Sequence, residues 1–349
     1  MFIMCIYLGN QNNLNYSSQE HIITAGLGGM SKLPIKYVSD EFNNYFSKYE
    51  RPFLRNSILS IPRQILGPGK RGSLNSNKAT KSLINVFKHT EKDQYSLGYI
   101  KEGAPFEIPH IVFNKITKQY SAGMDKKISD ADFETFVNKL KDFSNLKIKM
   151  ISFPKLNDEF IIGIKAGIED SFDCFIAGAD PEAHPFTDEL LKKFSELLES
   201  KDNFNHSENY QIRTNQTARI DEDYFRCNAK VAFNVLAHLT NEEFVMKKEF
   251  DEFKNWLLKR NQENIDFAIE VPAMEKNIRD TFPEHSHYVL IQKVDNILFA
   301  NVVFYNYFNC LVMLCKDFPF PFDFNGFICD WKNKKEYKFF QYLNNRKKN

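Results

Sequence analysis

The chain has 349 residues, with 46 Lys and Arg against 45 Asp and Glu, for a formal net charge of +1. This length indicates two or three domains, and a hydrophobic content of 43% excludes a wholly disordered chain. No run approaches the ~18 uncharged apolar residues of a membrane-spanning helix. Six scattered Cys are too sparse for a disulfide scaffold. We therefore expect a reduced, cytoplasmic protein without membrane association.

The first 50 residues predict a compact strand–strand–helix unit. Short apolar runs at 2–8, 20–24 and 35–38 favour strands separated by turn-forming residues. Ser39 or Asp40 offers the N-cap of a helix that is expected to end near Glu50, because Pro52 discourages its continuation. One face of this helix carries a stripe of aromatic residues at helical spacing, which predicts burial: Phe42, Phe46, Tyr49 and Phe53.

Residues 55–80 contain many Gly, Pro, Ser and Asn and predict a long ordered loop. Beyond it the sequence predicts an α+β region. Its predicted strands are 108–114, 147–153, 159–164, 172–177, 287–294 and 298–304. Its predicted helices are 130–142, 187–200, 221–239 and 247–259. We therefore divide the chain into a module at 1–55, a connecting segment at 56–92, and a C-terminal α+β domain at 93–349 with a sensing or scaffolding role.

The near-neutral total conceals an uneven charge distribution. Residues 1–92 carry 12 basic and 5 acidic side chains, so they hold about +7 and the remainder about −6. No acidic residue occurs between Arg51 and Thr90. A block of one sign can simply be a solvated face, but forty residues without an acid favour a surface that binds a polyanion.

The first 50 residues also contain a pattern of side chains that could take part in catalysis or metal binding. It comprises Cys5, the pair Glu20-His21, the Gly-rich stretch 26–29, and the pair Asn43-Asn44 at the helix start. This pattern resembles the HNH endonuclease family, whose ββα-metal fold holds one catalytic divalent cation between a strand and a helix. The variant it resembles reads C-x2-C, an acid–His pair, a Gly-rich loop, and C-x2-C-N-N. The resemblance covers about residues 3–50, one-seventh of the chain.

Phosphodiester hydrolysis needs a base with a pKa near neutrality, which His supplies. It also needs a hard cation, which carboxylate and amide oxygens hold. The resemblance implies that His21 is the general base and that Glu20 and Asn43 are ligands of one Mg²⁺ or Mn²⁺. It assigns Asn44 a supporting position.

The family's four zinc-binding Cys would fall at positions that here hold Cys5, Leu8, Ser39 and Phe42. One Cys cannot form a tetrahedral zinc site. We therefore expect no structural zinc, and a small apolar cluster in its place.

These features together predict a divalent-metal-dependent HNH-type endonuclease that hydrolyses DNA, with DNA preferred to RNA. By analogy alone, such an enzyme could serve in anti-phage defence or genome conflict. A protein partner would bind through the C-terminal domain. Two other classes stay open: a catalytically decayed protein that binds nucleic acid or forms complexes, and a structural assembly protein. The basic residues expected to contact nucleic acid are Arg55, Arg63, Lys70, Arg71, Lys78 and Lys81.

Overall fold

The computed structural model describes residues 4–9, 11, 13–91, 94–131, 133–134, 146–166, 172–181, 192–193, 196–197, 199, 201–207, 211–259 and 267–346. Helices and strands both occur, which confirms the predicted α+β class. The α-helices are α1 (Asp40–Arg55), α2 (Ser60–Ile65), α3 (Glu222–Leu239), α4 (Glu242–Val245), α5 (Asp251–Leu257), α6 (Lys276–Arg279) and α7 (Phe339–Arg346).

The strands form three sheets, and their bounds are as follows. They are β1 (Asn85–His89), β2 (Tyr95–Lys101), β3 (Ala104–Glu107), β4 (His110–Asn114), β5 (Tyr120–Asp125), β6 (Leu146–Ser152), β7 (Glu159–Ala166), β8 (Phe172–Gly178), β9 (Asn205–Ser207), β10 (Ile212–Arg213), β11 (Ala268–Val271), β12 (His287–Val294), β13 (Ile297–Phe304), β14 (Phe308–Cys315), β15 (Asn325–Asp330) and β16 (Lys335–Lys338). All six strands predicted beyond residue 100 are present, with shifts of one or two residues at their ends.

The chain divides into two compact units. Unit 1 combines Met1–Thr80 with Ala218–Asn349, and unit 2 is Lys81–Thr217. This division differs from the predicted succession of 1–55, 56–92 and 93–349. Composition along the chain does not reveal that distant segments share one core, and here the two ends of the chain do so.

Unit 1 contains an antiparallel sheet of order β11-β14-β13-β12-β15-β16. Helix α3 contacts strands of this sheet and also contacts α1. The aromatic stripe on α1 belongs to the same buried cluster as the apolar residues of α3 and the sheet, so its predicted burial is confirmed. Because α3 is covered on several sides, even its polar residues Lys230 and Asn234 are buried.

Helix α1 begins at Asp40 with Ser39 as its N-cap, as predicted, but it continues through Pro52 to Arg55. The buried ring of Phe53 contacts Tyr224 and Phe304 with centroids 5.7 and 5.9 Å away. Burial of this ring outweighs the hydrogen bond that a proline removes from a helix. The predicted loop at 55–80 similarly contains α2, whose Pro62 lies in the first turn, where proline is tolerated.

The three predicted N-terminal strands are wrong over the described residues. Residues 4–9 form a turn closed by a bridge between Cys5 and Gly9, and residues 35–38 form turns and bends. At 20–24, pairing is limited to a bridge between His21 and Lys32. The consecutive residues Ile22 and Ile23 are both fully buried, whereas a strand would direct them to opposite faces.

Unit 2 contains an antiparallel sheet of order β10-β1-β2-β3 and a mixed sheet of order β6-β8-β7-β4-β5-β9. An apolar cluster that includes Val86, Leu97, Ile108 and Ile161 draws residues from both sheets. The predicted helices at 130–142 and 187–200 lie largely outside the described residues. The predicted helix at 221–239 is confirmed as α3, and that at 247–259 is the shorter α5, preceded by a 3₁₀ turn.

Candidate active site

The segment that precedes Glu20 is hydrogen-bonded to the first turn of α1. The carboxylate of Asp40 accepts hydrogen bonds from the backbone NH and the hydroxyl of both Ser17 and Ser18, at 2.6 to 3.2 Å. These bonds, led by that from the Ser18 hydroxyl, lower the pKa of Asp40 to about 2. The bonds fix the path of the chain just before the predicted site residues.

Glu20 forms an ion pair with a buried lysine of α3. Lys230 Nζ lies 2.6 Å from Glu20 Oε1 and 2.7 Å from Glu50 Oε1. Burial lowers the pKa of Lys230, but the two carboxylates outweigh it and leave the pKa above its ordinary value. Lys230 is therefore a permanent cation, and the three side chains together carry a formal charge of −1.

The next turn of α3 holds the backbone beside Glu20. Asn234 Nδ2 donates to the carbonyl oxygen of His21 at 3.0 Å, and its Oδ1 accepts from the Tyr7 hydroxyl at 2.5 Å. Sequence reasoning did not assign Lys230 or Asn234 to the site. The available signal was a lysine and an asparagine one turn apart inside an otherwise apolar helix, since buried polar groups need partners.

The His21 side chain is half-buried, and one ring nitrogen is unengaged. Its pKa is lowered, mainly by burial and then by Lys32, while Glu20, Glu336 and a hydrogen bond with the Gly29 backbone oppose this shift. Nδ1 is buried and finds no partner within the described part of the chain. The lowered pKa keeps the ring neutral near pH 7, and Nδ1 is an unengaged nitrogen on it.

Gly29 occupies a position where a side chain would not fit. A Cβ placed there would lie 1.7 Å from the carbonyl oxygen of Ile23. The backbone at 22–33 is joined by hydrogen bonds from Ile22 to Ser31 and from Leu33 to Glu20. This close approach brings Gly29 next to the imidazole and explains one glycine of the Gly-rich loop (residues 26–29).

Asn43 lies on α1 beside the segment that precedes Glu20. Its Nδ2 donates to Ser18 Oγ at 3.4 Å, and its Oδ1 is buried without a partner among the described residues. Asn44 is exposed, and its backbone carbonyl accepts from the Ser47 hydroxyl. The described contacts therefore give Asn43 an orphaned oxygen and connect Asn44 only to its own helix.

Glu20 and Asn43 each have a side-chain oxygen of the type that a hard divalent cation prefers. In the described part of the protein, Asn43 Oδ1 has no partner, and Glu20 Oε2 has no hydrogen bond or ion pair. Such oxygens suit Mg²⁺, which commonly keeps waters and uses few protein ligands. No group of three His, Cys, Asp or Glu side chains converges as a metal site within the described ranges. No direct hydrogen bond joins the side chains of Glu20, His21 and Asn43 there.

Of the four positions at which the HNH family would have zinc ligands, Cys5, Leu8 and Phe42 belong to or contact one apolar cluster. Cys5 and Phe42 are fully buried, and Leu8 is partly buried against the same cluster. The Phe42 ring stacks on Tyr7 with centroids 3.9 Å apart, and Ser39 Oγ accepts from the Phe42 NH. Apolar contact thus connects the turn at 4–9 to the start of α1, where Ser39 caps the helix.

Two of the predicted nucleic-acid contacts lie in a loop at 67–72, termed the basic loop, which contacts the Gly-rich loop. Lys70 and Arg71 are exposed. Gly72 has φ +72°, and a Cβ there would lie 2.7 Å from the carbonyl oxygen of Ala25. The two loops therefore meet closely, and the exposed cations lie near the His21 segment.

The other predicted basic contacts are dispersed. Arg63 is buried, and its guanidinium donates to the carbonyl oxygens of Gly26 and Leu54 at 3.1 and 2.7 Å. This favours a structural role over a phosphate contact. Arg55 and Lys78 are exposed in unit 1, whereas Lys81 is exposed in unit 2.

Comparison of the chain with protein-family models, curated proteins and solved structures finds no match. Among the described helices, none combines the length and the apolar character needed to cross a membrane.

Proposed function

We propose that the protein is a divalent-metal-dependent endonuclease that hydrolyses DNA phosphodiester bonds with His21 as the general base. The observation that carries the proposal is the free, buried Nδ1 of His21 on a ring whose pKa is lowered. A lowered pKa keeps the imidazole neutral near pH 7, and a neutral imidazole can take a proton from water. In the tautomer whose proton lies on Nε2, Nδ1 is the acceptor.

Glu20 and Asn43 would hold the cation through Glu20 Oε2 and Asn43 Oδ1. When bound, a divalent cation stabilises the negative charge that develops on the phosphate and on the leaving oxygen. Lys230 acts as a positioning residue, because its ion pair with Oε1 orients the carboxylate and leaves Oε2 available. Lys70 and Arg71 would contact flanking phosphates, since contacts of this type position a nucleic acid without reading its sequence.

The first prediction concerns His21. Supercoiled plasmid is incubated with Mg²⁺ or Mn²⁺, and nicking by wild type is compared with nicking by His21→Ala. Loss of a general base typically costs about 10²–10⁴ in rate. We expect that decrease for His21→Ala, with DNA binding in EDTA unchanged. His285→Asn is the matched control, because His285 belongs to the same unit and its Nε2 lies 3.2 Å from Glu284 Oε1.

A metal titration in the same assay distinguishes the loss of a metal ligand from the loss of the general base. Glu20→Ala and Asn43→Ala should raise the metal concentration that gives half-maximal cleavage, whereas His21→Ala should lower the rate at saturating metal. Cleavage by His21→Ala at the wild-type rate would refute the assignment.

The ion pair between Glu20 and Lys230 also favours a second candidate, a protein that binds nucleic acid without cutting it. An ammonium at 2.6 Å already neutralises part of the carboxylate that a metal needs. Tight binding of plasmid in EDTA together with no nicking at any metal concentration would support this candidate and exclude the first.

A further inference from the structure

Unit 2 contains a cavity of about 420 Å³ that the proposed nuclease site does not involve. Its wall includes Tyr99 of β2 and Phe106 of β3, which face each other in the register of the four-stranded sheet. Ile164 and Lys165 of β7 contribute from the six-stranded sheet. The cavity therefore lies where the two sheets of this unit meet.

Lysines surround a pair of stacked rings in this cavity. Tyr99 and Phe106 stack with centroids 5.6 Å apart and an interplanar angle of 6°. The ammonium groups of Lys81 and Lys165 lie 4.8 and 5.0 Å from the Tyr99 centroid. That of Lys127 lies 4.6 Å from the Phe106 centroid. Three cations thus converge on a small aromatic surface.

These lysines form no close ion pair, and Lys81 and Lys165 repel each other. Within the described residues, Lys81, Lys127 and Lys165 form no ion pair with a carboxylate within 4.0 Å. Lys81 pairs through its backbone with Lys101, a fourth lysine near Phe106, and like charges directly opposite each other are destabilising. Burial, and then the charge of Lys81, lower the pKa of Lys165, while Asp173, which pairs with Lys149 at 2.8 Å, opposes this shift. A bound anion would relieve this repulsion.

Two acidic residues also line the cavity, but both have other partners. Glu107 accepts from the Ser96 hydroxyl at 2.6 Å and lies 2.8 Å from His89 Nε2. Asp125 accepts from the backbone NH of Lys127 at 2.8 Å. The cations outnumber the acids, so the cavity favours a ligand with negative charge.

We propose that this cavity binds a small ligand that combines phosphate groups with a flat apolar group, namely a nucleoside phosphate. The lysines supply the phosphate contacts, since phosphate binding by lysine acts through point charge. Ile108, Phe133 and Ile164 supply an apolar wall for the flat group. A volume of this size falls within the usual range for small-molecule sites, about 300–1,000 Å³. The inference does not depend on the proposed nuclease activity.

Isothermal titration of the full-length protein with ATP in EDTA tests the proposal. EDTA removes divalent cations and so excludes a contribution from metal at the candidate active site. We expect saturable binding of ATP that is at least about tenfold tighter than that of tripolyphosphate or adenosine. Lys165→Met and Lys81→Met should each weaken ATP binding about tenfold, since a hydrogen bond to a charged group contributes enough for that change.

Lys115→Met is the matched control. Its ammonium donates to the carbonyl oxygen of Asn157, and it follows the end of β4 opposite to the cavity. This variant should bind ATP within about twofold of wild type, and the melting temperature of each variant shows that it is folded. Removing Lys165 should leave the melting temperature unchanged or raise it, because a repelled, desolvated cation is lost.

Three outcomes would overturn the proposal. The first is no saturable ATP binding at millimolar concentration, and the second is equal ATP affinity in wild type, Lys165→Met and Lys81→Met. The third is binding of an oligothymidylate strand without binding of ATP, which would make the cavity part of a single-strand surface instead.

Discussion

His287 is fully buried in unit 1 and uses both ring nitrogens. Nδ1 accepts from the Tyr305 NH at 2.9 Å, so Nε2 carries the proton and donates to the Leu27 carbonyl oxygen at 3.0 Å. Burial lowers the pKa of His287 to about 3. This neutral imidazole therefore connects the start of β12 to the Gly-rich loop.

The second variant prediction follows from that pKa. Between about pH 6.5 and pH 3, the unfolded state binds a proton at His287 that the folded state does not. The free energy of unfolding should therefore fall as pH falls through this range, by about 1.4 kcal/mol per pH unit for this group. His287→Gln should lose about 1–3 kcal/mol at pH 7 by leaving the Tyr305 NH unpaired. Its free energy of unfolding should also depend less steeply on pH.

Urea unfolding of both proteins at several values between pH 4.5 and pH 7 measures the two slopes. If wild type and His287→Gln gave parallel curves, the imidazole would be protonated in the folded state, contrary to the expected tautomer.

At the scale of elements, a buried cation of helix α3 connects this helix to α1 and to the segment that contains Glu20. Lys230 is 3% exposed at its side chain, whereas Glu20 and Glu50 are 13% and 24% exposed. Removing one partner of a buried ion pair typically costs about 3–5 kcal/mol, because a desolvated charge is left behind. We expect Lys230→Met to lose that much stability, and the added change Glu50→Gln to restore part of it.

Lys254→Met provides the comparison for Lys230→Met in urea unfolding. Lys254 is also buried, but its acidic neighbour Asp251 lies 3.9 Å away and is largely exposed. Its replacement leaves no buried carboxylate and should cost less than about 1 kcal/mol. Equal losses for the two variants would mean that Lys230 contributes through its alkyl chain alone.

The helices and strands that were predicted correctly are those whose apolar residues recur at a regular spacing within one segment. The aromatic residues of α1 recur at helical spacing within one short segment, so this helix could be predicted from its own residues alone. The same holds for strands such as β7 and β12. The prediction of strands near the N-terminus was wrong. Ile22 and Ile23 are both buried in a loop, and the alternating pattern of a strand does not predict burial of two consecutive residues. Glu20 and His21 could be selected from their neighbours along the chain. Lys230 could not, because it lies 210 residues from its partner.

For the whole molecule, the near-zero net charge conceals local groups of exposed cations, on which the proposed DNA binding depends. Lys70 and Arg71 are exposed on the basic loop. Each phosphate that a protein neutralises on duplex DNA contributes about 0.9 to the slope of log affinity against log salt. Replacing both residues by Ala should therefore reduce that slope by about one to two.

A second double variant with the same change in net charge tests whether the effect on DNA binding depends on the position of the two cations. Lys276 and Lys316 each pair with an acidic neighbour, Asp280 and Glu252, at 2.5 and 2.7 Å. Their joint replacement by Ala should leave the salt dependence of DNA binding in EDTA unchanged. A slope unaffected by loss of Lys70 and Arg71 would show that the acid-free stretch faces something other than DNA.

Unit 2 is inserted between Thr80 and Ala218. Glu20 and Lys230, which form an ion pair in the candidate site, are therefore synthesised at different times. Glu20 leaves the ribosome 210 residues before Lys230 does. At ~5–20 residues per second, this interval lasts about 10–40 s. During translation the nascent N-terminal segment therefore carries Glu20 and His21 without the helix that orders them. The candidate site therefore assembles only once the C-terminal part of the chain has been made, and a chain that stops before Lys230 lacks it.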